Sequence, residues 1–242
     1  MDSPTSGARP CYFVGDMVMS CDPLVWVLES SVYRVRCAYC FQASQELRTC
    51  SGCQLHRYCN SVCQTADWKV EHKLECALLK TLTGTRPGTE HWSLRETVSG
   101  NYAVPTGMIA KLANKIRLNT MMDIPGIGRK SAKDLLFILP ANPSQAEVED
   151  ELRPALSAME ARNSLIDGLP ATEFLAYYGI LRYNILPIYD TFSGAGEPIG
   201  LGVYPQAPPR HMTPVCWDIN VVLNCRGRRL VIHAVENIQE YT

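Results

Sequence analysis

The chain has 242 residues, 46% of them hydrophobic and 19% charged, with a formal net charge of −1. That is enough apolar material for one large or two smaller domains with a real core, and the near-neutral balance excludes a protein drawn to nucleic acid or to an acidic surface by its overall field. The amino terminus, MDSPTSGARP, has no basic region followed by an apolar core, and no run is long and apolar enough to span a bilayer, so neither secretion nor a membrane span is expected.

Residues 12–36 read as short strands. Gly15-Asp16 is a turn, Met17-Val18-Met19 is apolar, and Leu24 to Leu28 form an apolar run after Pro23. This piece has too few strands to be stable alone. Between Cys37 and Cys76 lie seven of the eleven cysteines, as Cys37-x2-Cys40, Cys50-x2-Cys53, Cys59-x3-Cys63 and His72-x3-Cys76. Two thiolates two residues apart reach one tetrahedral metal from a single tight turn, and His72 and Cys76, four apart in a helical stretch, project from one helix face. Four ligand pairs suffice for two Zn2+ ions, and without a secretory signal this spacing favours metal over disulfides. Spacing leaves open whether the pairs share ions sequentially or in an interleaved order. His56 lies inside the cluster as a ninth candidate and is read as a surface residue or a neighbour of the ligands. Cys11, Cys21, Cys216 and Cys225 remain as free thiols, read as small buried hydrophobes in a reduced cytoplasmic or nuclear setting.

Val62 to Leu82 has a helical pattern, with Trp68, Leu74, Leu78 and Leu79 as apolar positions around His72 and Cys76. Residues 83–100 read as a linker. Helical periodicity then runs over 105–139 and 145–166, broken at Pro140, Asn142 and Pro143. Six basic residues between 111 and 134 (Lys111, Lys115, Arg117, Arg129, Lys130, Lys133) face Asp123 and Asp134, a local balance of +4, whereas residues 145–173 balance to −5. The two segments are expected to pair with one another or to leave a basic face. After Pro170 the texture turns to aromatic and β-branched residues, with strands at Val221–Cys225 and Leu230–Val235 around a turn at Arg226-Gly227. The order β, metal cluster, helices, β predicts one β domain interrupted by insertions.

Two resemblances add to this reading. The eight ligands, with Tyr58-Cys59-Asn60 and Asp67-Trp68 among them, resemble a MYND zinc finger. That resemblance implies the interleaved arrangement, with Cys37, Cys40, Cys59 and Cys63 on one zinc and Cys50, Cys53, His72 and Cys76 on the other, and a module that binds short proline-containing peptides. A MYND finger between two β pieces is in turn similar to the SMYD proteins, protein-lysine methyltransferases in which the finger interrupts a SET domain. The similar stretches are Gly15 to Leu28, Asn184 to Asp190, Ile199 to Pro205 and Ala234 to Ile238. Separately, Met122 to Leu136 resembles the helix-hairpin-helix of DNA repair enzymes, in which glycines admit a phosphate to backbone amides and Arg129, Lys130 and Lys133 add charge.

The SMYD resemblance implies an α+β protein, a SET-type β fold split by a MYND finger and a helical insertion. Residues 1–36 are then the amino-terminal part of the SET domain, 37–76 the finger, 77–169 a helical insert and linker, and 170–242 the SET core, truncated before its catalytic end. It also implies S-adenosylmethionine as cofactor and a lysine-bearing protein as substrate, a histone among the candidates. Asn184 matches the family's cofactor-contact asparagine, and His211 stands near its Asn-His-Ser-Cys motif, which is otherwise replaced around 209–216. The family's glycine-containing cofactor loop is reduced to Ser6-Gly7-Ala8-Arg9, and the sequence stops at Tyr241-Thr242, about where the Glu-Glu-Leu-Thr signature begins. These departures predict weak methyl transfer. The alternative is a catalytically inactive MYND adaptor for partner proteins in transcription or chromatin regulation, and DNA binding through 122–136 is the third reading.

Overall fold

The computed structural model describes residues 10–83, 104–124, 128–139, 169–190, 198–206 and 221–239. The amino-terminal strands are Pro10–Tyr12 (β1), Met17–Cys21 (β2) and Val25–Leu28 (β3). The cluster region adds Arg48–Thr49 (β4) and Arg57–Tyr58 (β5), then a continuous helical run of Ser61–Asp67 (α1), a π-helical turn Trp68–His72 and Lys73–Thr83 (α2). Asn60 starts the run: its backbone is extended and its side chain accepts a hydrogen bond from the Cys63 N–H at 3.0 Å. The helix expected over 62–82 is therefore present. Two of its apolar positions, Trp68 and Leu74, are nonetheless exposed, while Leu79 is fully buried.

Thr106–Arg117 (α3) ends at Asn119, whose φ of +48° is left-handed. The Thr120 N–H donates to the Lys115 carbonyl and the Asn119 N–H to that of Ile116, closing the helix in a Schellman motif. The chain then forms a hairpin, Met121–Ile124 (β6) against Gly128–Ser131 (β7), followed by Ala132–Ile138 (α4) with a Ser131–Asp134 capping box. Helical periodicity across 105–139 thus fails between the two helices, and the segment resembling a helix-hairpin-helix opens with a β-hairpin instead. Beyond Pro170 the chain begins not with β structure but with a helix, Ala171–Asn184 (α5). Phe174, Tyr178 and Leu181, spaced four and three apart, form its buried stripe, and this face outweighs the β preference of its aromatic residues. Ile185–Tyr189 (β8), Pro198–Val203 (β9), Val221–Arg226 (β10), Arg229–Ala234 (β11) and Ile238–Gln239 (β12) follow, with the expected hairpin between β10 and β11. The helix expected over 145–166, nearly all of the linker, His211 and Cys216 lie outside the described residues.

Pairing joins the two ends of the chain. β2 is bonded to β11, which pairs with β10; β3 is bonded to β9, which pairs with β8; and β1 is bonded to β12, all antiparallel. Among the described residues, no amino-terminal strand pairs within its own segment, so the finger and the helical region lie in sequence between strands that pair with one another in three sheets. β3, bonded among the described residues only to β9, is nonetheless buried on both faces. Val25 and Val27 join Met108 and Leu112 of α3, Leu135 of α4 and Leu181 of α5 in one core, whereas Trp26 and Leu28 join Phe41, Ile188 and Ile232 in a second. Burial on both faces explains why this strand reads as an unbroken apolar run. Cys21 and Cys225 are buried in the second core as expected for small hydrophobes, and burial pushes the Cys21 thiol up to about 12.

The tip of the β10–β11 hairpin docks on the metal cluster. Gly227 has φ +63°, and a Cβ there would lie 2.1 Å from the Cys40 carbonyl oxygen. Next to it the Arg228 guanidinium sits 4.1 Å from the centroids of both Trp26 and Tyr39. Arg36 adds an ion pair to Asp190 at the end of β8. Gly227→Ala is expected to cost about 1–3 kcal/mol through left-handed strain and overpacking, and so to lower the melting temperature by several degrees. An unchanged melt by circular dichroism would remove this contact from the account.

Candidate metal centre

Two knuckles of the same shape present the CxxC pairs. In the first, the Phe41 N–H donates to the Cys37 carbonyl at 2.9 Å; in the second, the Gln54 N–H donates to that of Cys50 at 3.0 Å. In each, the residue after the second cysteine is left-handed, Phe41 at φ +65° and Gln54 at φ +60°. Such a conformation costs a non-glycine residue about 1–2 kcal/mol. It is held by burial of the Phe41 ring and by the Gln54 amide, which donates to the Ser51 carbonyl at 2.9 Å. Gly52 has a separate reason to be small: a Cβ there would stand 2.6 Å from the Cys76 sulfur.

The other ligands arrive from β5 and the helical run, and the fold sorts all eight into two sets. Cys37, Cys40, Cys59 and Cys63 form one group and Cys50, Cys53, His72 and Cys76 the other, with the ligand atoms of each group within 4.8 Å of one another. This is the interleaved arrangement. A tetrahedral zinc with Zn–S of about 2.3 Å sets sulfur–sulfur edges of about 3.8 Å. Cys40 and Cys59 are 3.6 Å apart and Cys50 and Cys76 3.8 Å, while His72 Nε2 is 3.3 Å from Cys50 and 3.7 Å from Cys53. The donors therefore fit zinc in both groups. With four protein ligands each, neither site has a position for a reacting water, so the metal is structural.

The sulfurs hold their protons unequally. The Cys40 thiol hydrogen-bonded to Cys37 brings that sulfur down to about 5, while burial pushes Cys63 up to about 11. A divalent cation among them favours four thiolates instead, which links metal binding to proton release. Beside the second group lies a buried polar set whose role the ligand spacing did not resolve. His56 is buried and stacks on His72 with centroids 4.6 Å apart, and its Nδ1 is 3.8 Å from Asp67. Burial alone would raise the Asp67 carboxyl; His56, Lys111 and the Tyr58 hydroxyl, which donates to it at 2.7 Å, outweigh this and hold it near about 2. His56 thus supports the ligands without joining them.

A second set was not legible at all. Glu71 and Glu75 point from the helical run toward α3, where Lys111 Nζ is 2.8 Å from Glu71 and 3.2 Å from Glu75, and Lys115 Nζ is 2.9 Å from Glu71. All four are buried, and both ammonium groups lie over the Trp26 ring, at 5.0 and 5.3 Å. Burial would lower the Lys111 pKa, yet the two glutamates raise it above the usual lysine range. These contacts correct the sequence-based charge reading: Lys111 and Lys115 are buried against Glu71 and Glu75 and form no part of a basic face, while most of residues 145–173 lie outside the described residues. Asn184 closes α5, its side-chain amide donating to the Ile180 carbonyl at 2.7 Å, which is the local helix-end role open to this residue.

Chelation of both ions is expected to remove the finger's contribution to the melting transition, because its ligands make up much of its own core; a chelated chain that melts like the untreated one contradicts this. Gly52→Ala is expected to displace the Cys76 sulfur and leave about one zinc per chain, read by metal analysis. Two retained ions would show that the knuckle can yield.

The MYND finger family profile matches residues 37–76. Human N-lysine methyltransferase SMYD2 is 36% identical over 85 residues, covering 35% of this chain and 18% of the human protein. SMYD2-A of Danio rerio gives the same figures, and SMYD2-B of Xenopus laevis is 32% identical over 101 residues, 40% of this chain and 22% of its own length. The chain therefore matches less than a quarter of the length of these relatives. Residues 37–76 thus match the MYND finger, and the aligned part of the chain is similar to the SMYD2 proteins.

Proposed function

We propose that this chain acts as a zinc-dependent recognition unit for partner proteins, built on the scaffold of a SMYD-type protein-lysine methyltransferase. The observation that carries the reading is the finger itself: eight ligands in two closed tetrads, mounted on the β assembly by the Gly227 tip, the Arg36–Asp190 pair and the buried charges of α3. Closed sites do no chemistry, so their use is to hold a shaped surface. Val62, Trp68, Val70 and Leu74 leave apolar area exposed along the helical run, a surface suited to short proline-containing segments of a cytoplasmic or nuclear partner in transcription or chromatin regulation.

The second reading is S-adenosylmethionine-dependent methyl transfer to a lysine-bearing protein. It is favoured by the similarity to SMYD2 and by strands from both ends of the chain meeting as a split SET domain requires. Asn184 and His211 are its proposed cofactor contacts. DNA binding through 122–136 has less support, since a β-hairpin occupies the first half of that segment.

Isothermal calorimetry separates the two main readings. The zinc-loaded chain should bind members of an array of proline-containing peptides, and chelation should abolish that binding, while S-adenosylmethionine gives no micromolar uptake. Micromolar cofactor affinity would return the chain to the enzymes, and a zinc-loaded chain that binds no peptide in the array would remove the recognition reading.

A further inference from the structure

The second metal tetrad and helix α3 meet through a line of side chains that runs outside the finger. His72 turns Nε2 toward the Cys50 and Cys53 sulfurs, so Nδ1 faces the other way, and the Glu75 carboxylate stands 3.9 Å from it. The other Glu75 oxygen is 3.2 Å from Lys111 Nζ, and Lys111 belongs to α3, beyond residues 37–76. Each link is almost fully withdrawn from water: His72 is 0% exposed, Glu75 2% and Lys111 5%. The first tetrad holds only cysteines and has no imidazole through which such a line could pass.

Elementary electrostatics gives this line a direction. Metal on Nε2 draws electrons from the ring, and an anion facing Nδ1 makes the imidazole a better ligand; the 3.9 Å contact is ionic and longer than a hydrogen bond, and hydrogen-bonded partners at this position are typically worth about 10–100-fold in metal affinity. A carboxylate this deeply buried keeps its charge only beside a cation. Lys111 is that cation, and it is fixed by the packing of Met108, Ile109 and Leu112 into the core against β3. Lys115, on the same helix and just as buried, is paired with Glu71, which Lys111 also contacts at 2.8 Å, but forms no ion pair with Glu75 among the described residues.

We infer that Glu75 and Lys111 make the second zinc site and helix α3 one thermodynamic unit, so that this ion's affinity is set partly from outside the finger. Coupling is reciprocal: metal in the second site steadies α3 and, through it, the core around β3, while the first site meets the β body elsewhere, where the hairpin tip lies against the Cys40 carbonyl. The two zinc ions of this chain therefore differ in what they hold together.

The test is a titration of the full zinc-loaded chain with a chromophoric chelator, comparing wild type with Glu75→Gln, Lys111→Met and Lys115→Met. Glu75→Gln and Lys111→Met should release one ion at about 10–100-fold lower chelator activity and the other as in wild type. Cobalt substitution should show that the weakened site has the spectrum of three sulfurs and one nitrogen. Lys115→Met, which removes an equally buried cation, should release both ions as wild type does. Release of both ions at wild-type chelator activity in Glu75→Gln overturns the inference. Equal weakening by Lys115→Met also overturns it, since the effect would then be one of general packing. If Lys111→Met fails to fold by circular dichroism, the nearly isosteric Glu75→Gln carries the test.

Discussion

Metal coordination replaces hydrophobic burial as the organising force in the finger. Its two strands are two residues each, and the cluster of buried apolar groups there consists largely of the ligands Cys37, Cys50, Cys53 and Cys76 with Tyr58 and Leu79. At about 25 cal/mol per Å2, so little apolar area stabilises far less than the ordering of forty residues costs. Coordination bonds make up the difference, and they also explain features that are costly alone: two left-handed non-glycine residues and a glycine pressed against a ligand sulfur. Each is tolerable because the metal geometry over-determines its neighbourhood.

The finger is anchored to the β body by unlike contacts. On the side of the first tetrad the hairpin tip fits against the Cys40 carbonyl by shape, with Arg228 sandwiched between two rings. On the side of the second the contact is ionic, with two glutamates and two lysines that balance in charge. Buried ion pairs seldom add much net stability over apolar residues of the same shape, yet losing one partner costs about 3–5 kcal/mol because it strands the other charge. Such a contact selects one orientation of the finger and penalises the rest. Trp26 belongs to both anchors, with Arg228 and the two lysines over its ring, so a single strand residue registers the finger against the body from two directions.

What the sequence revealed depended on whether the signal was local. The ligand pairs and the β10–β11 turn are set by residues a few positions apart and were expected in place; the Asn60 helix start is equally local but was not singled out. The doubly buried β3 was visible as an apolar run. The α5 helix was hidden by residue type, although the spacing of Phe174, Tyr178 and Leu181 was available as a signal. Asn119 could have announced the end of α3 and, with it, the change to a hairpin. Nothing local distinguishes Glu71, Glu75, Lys111 and Lys115 from a solvated surface; only the packing of two distant helices makes them a buried set, and the depth of His56 is of the same kind.

The strand order has a consequence for how the molecule is made. β2 and β3 leave the ribosome early, but their partners β11 and β9 follow only after the finger and the helical region have been made. In between, the finger is complete as soon as Cys76 emerges and has every ligand needed to take up metal. Throughout that interval the amino-terminal strands are open edges, the kind of surface that recruits strands from other chains. A metal-bound knot forming beside β3 shortens the stretch of chain free to stray, so the insertion that divides the β assembly also guards its first half until the second arrives.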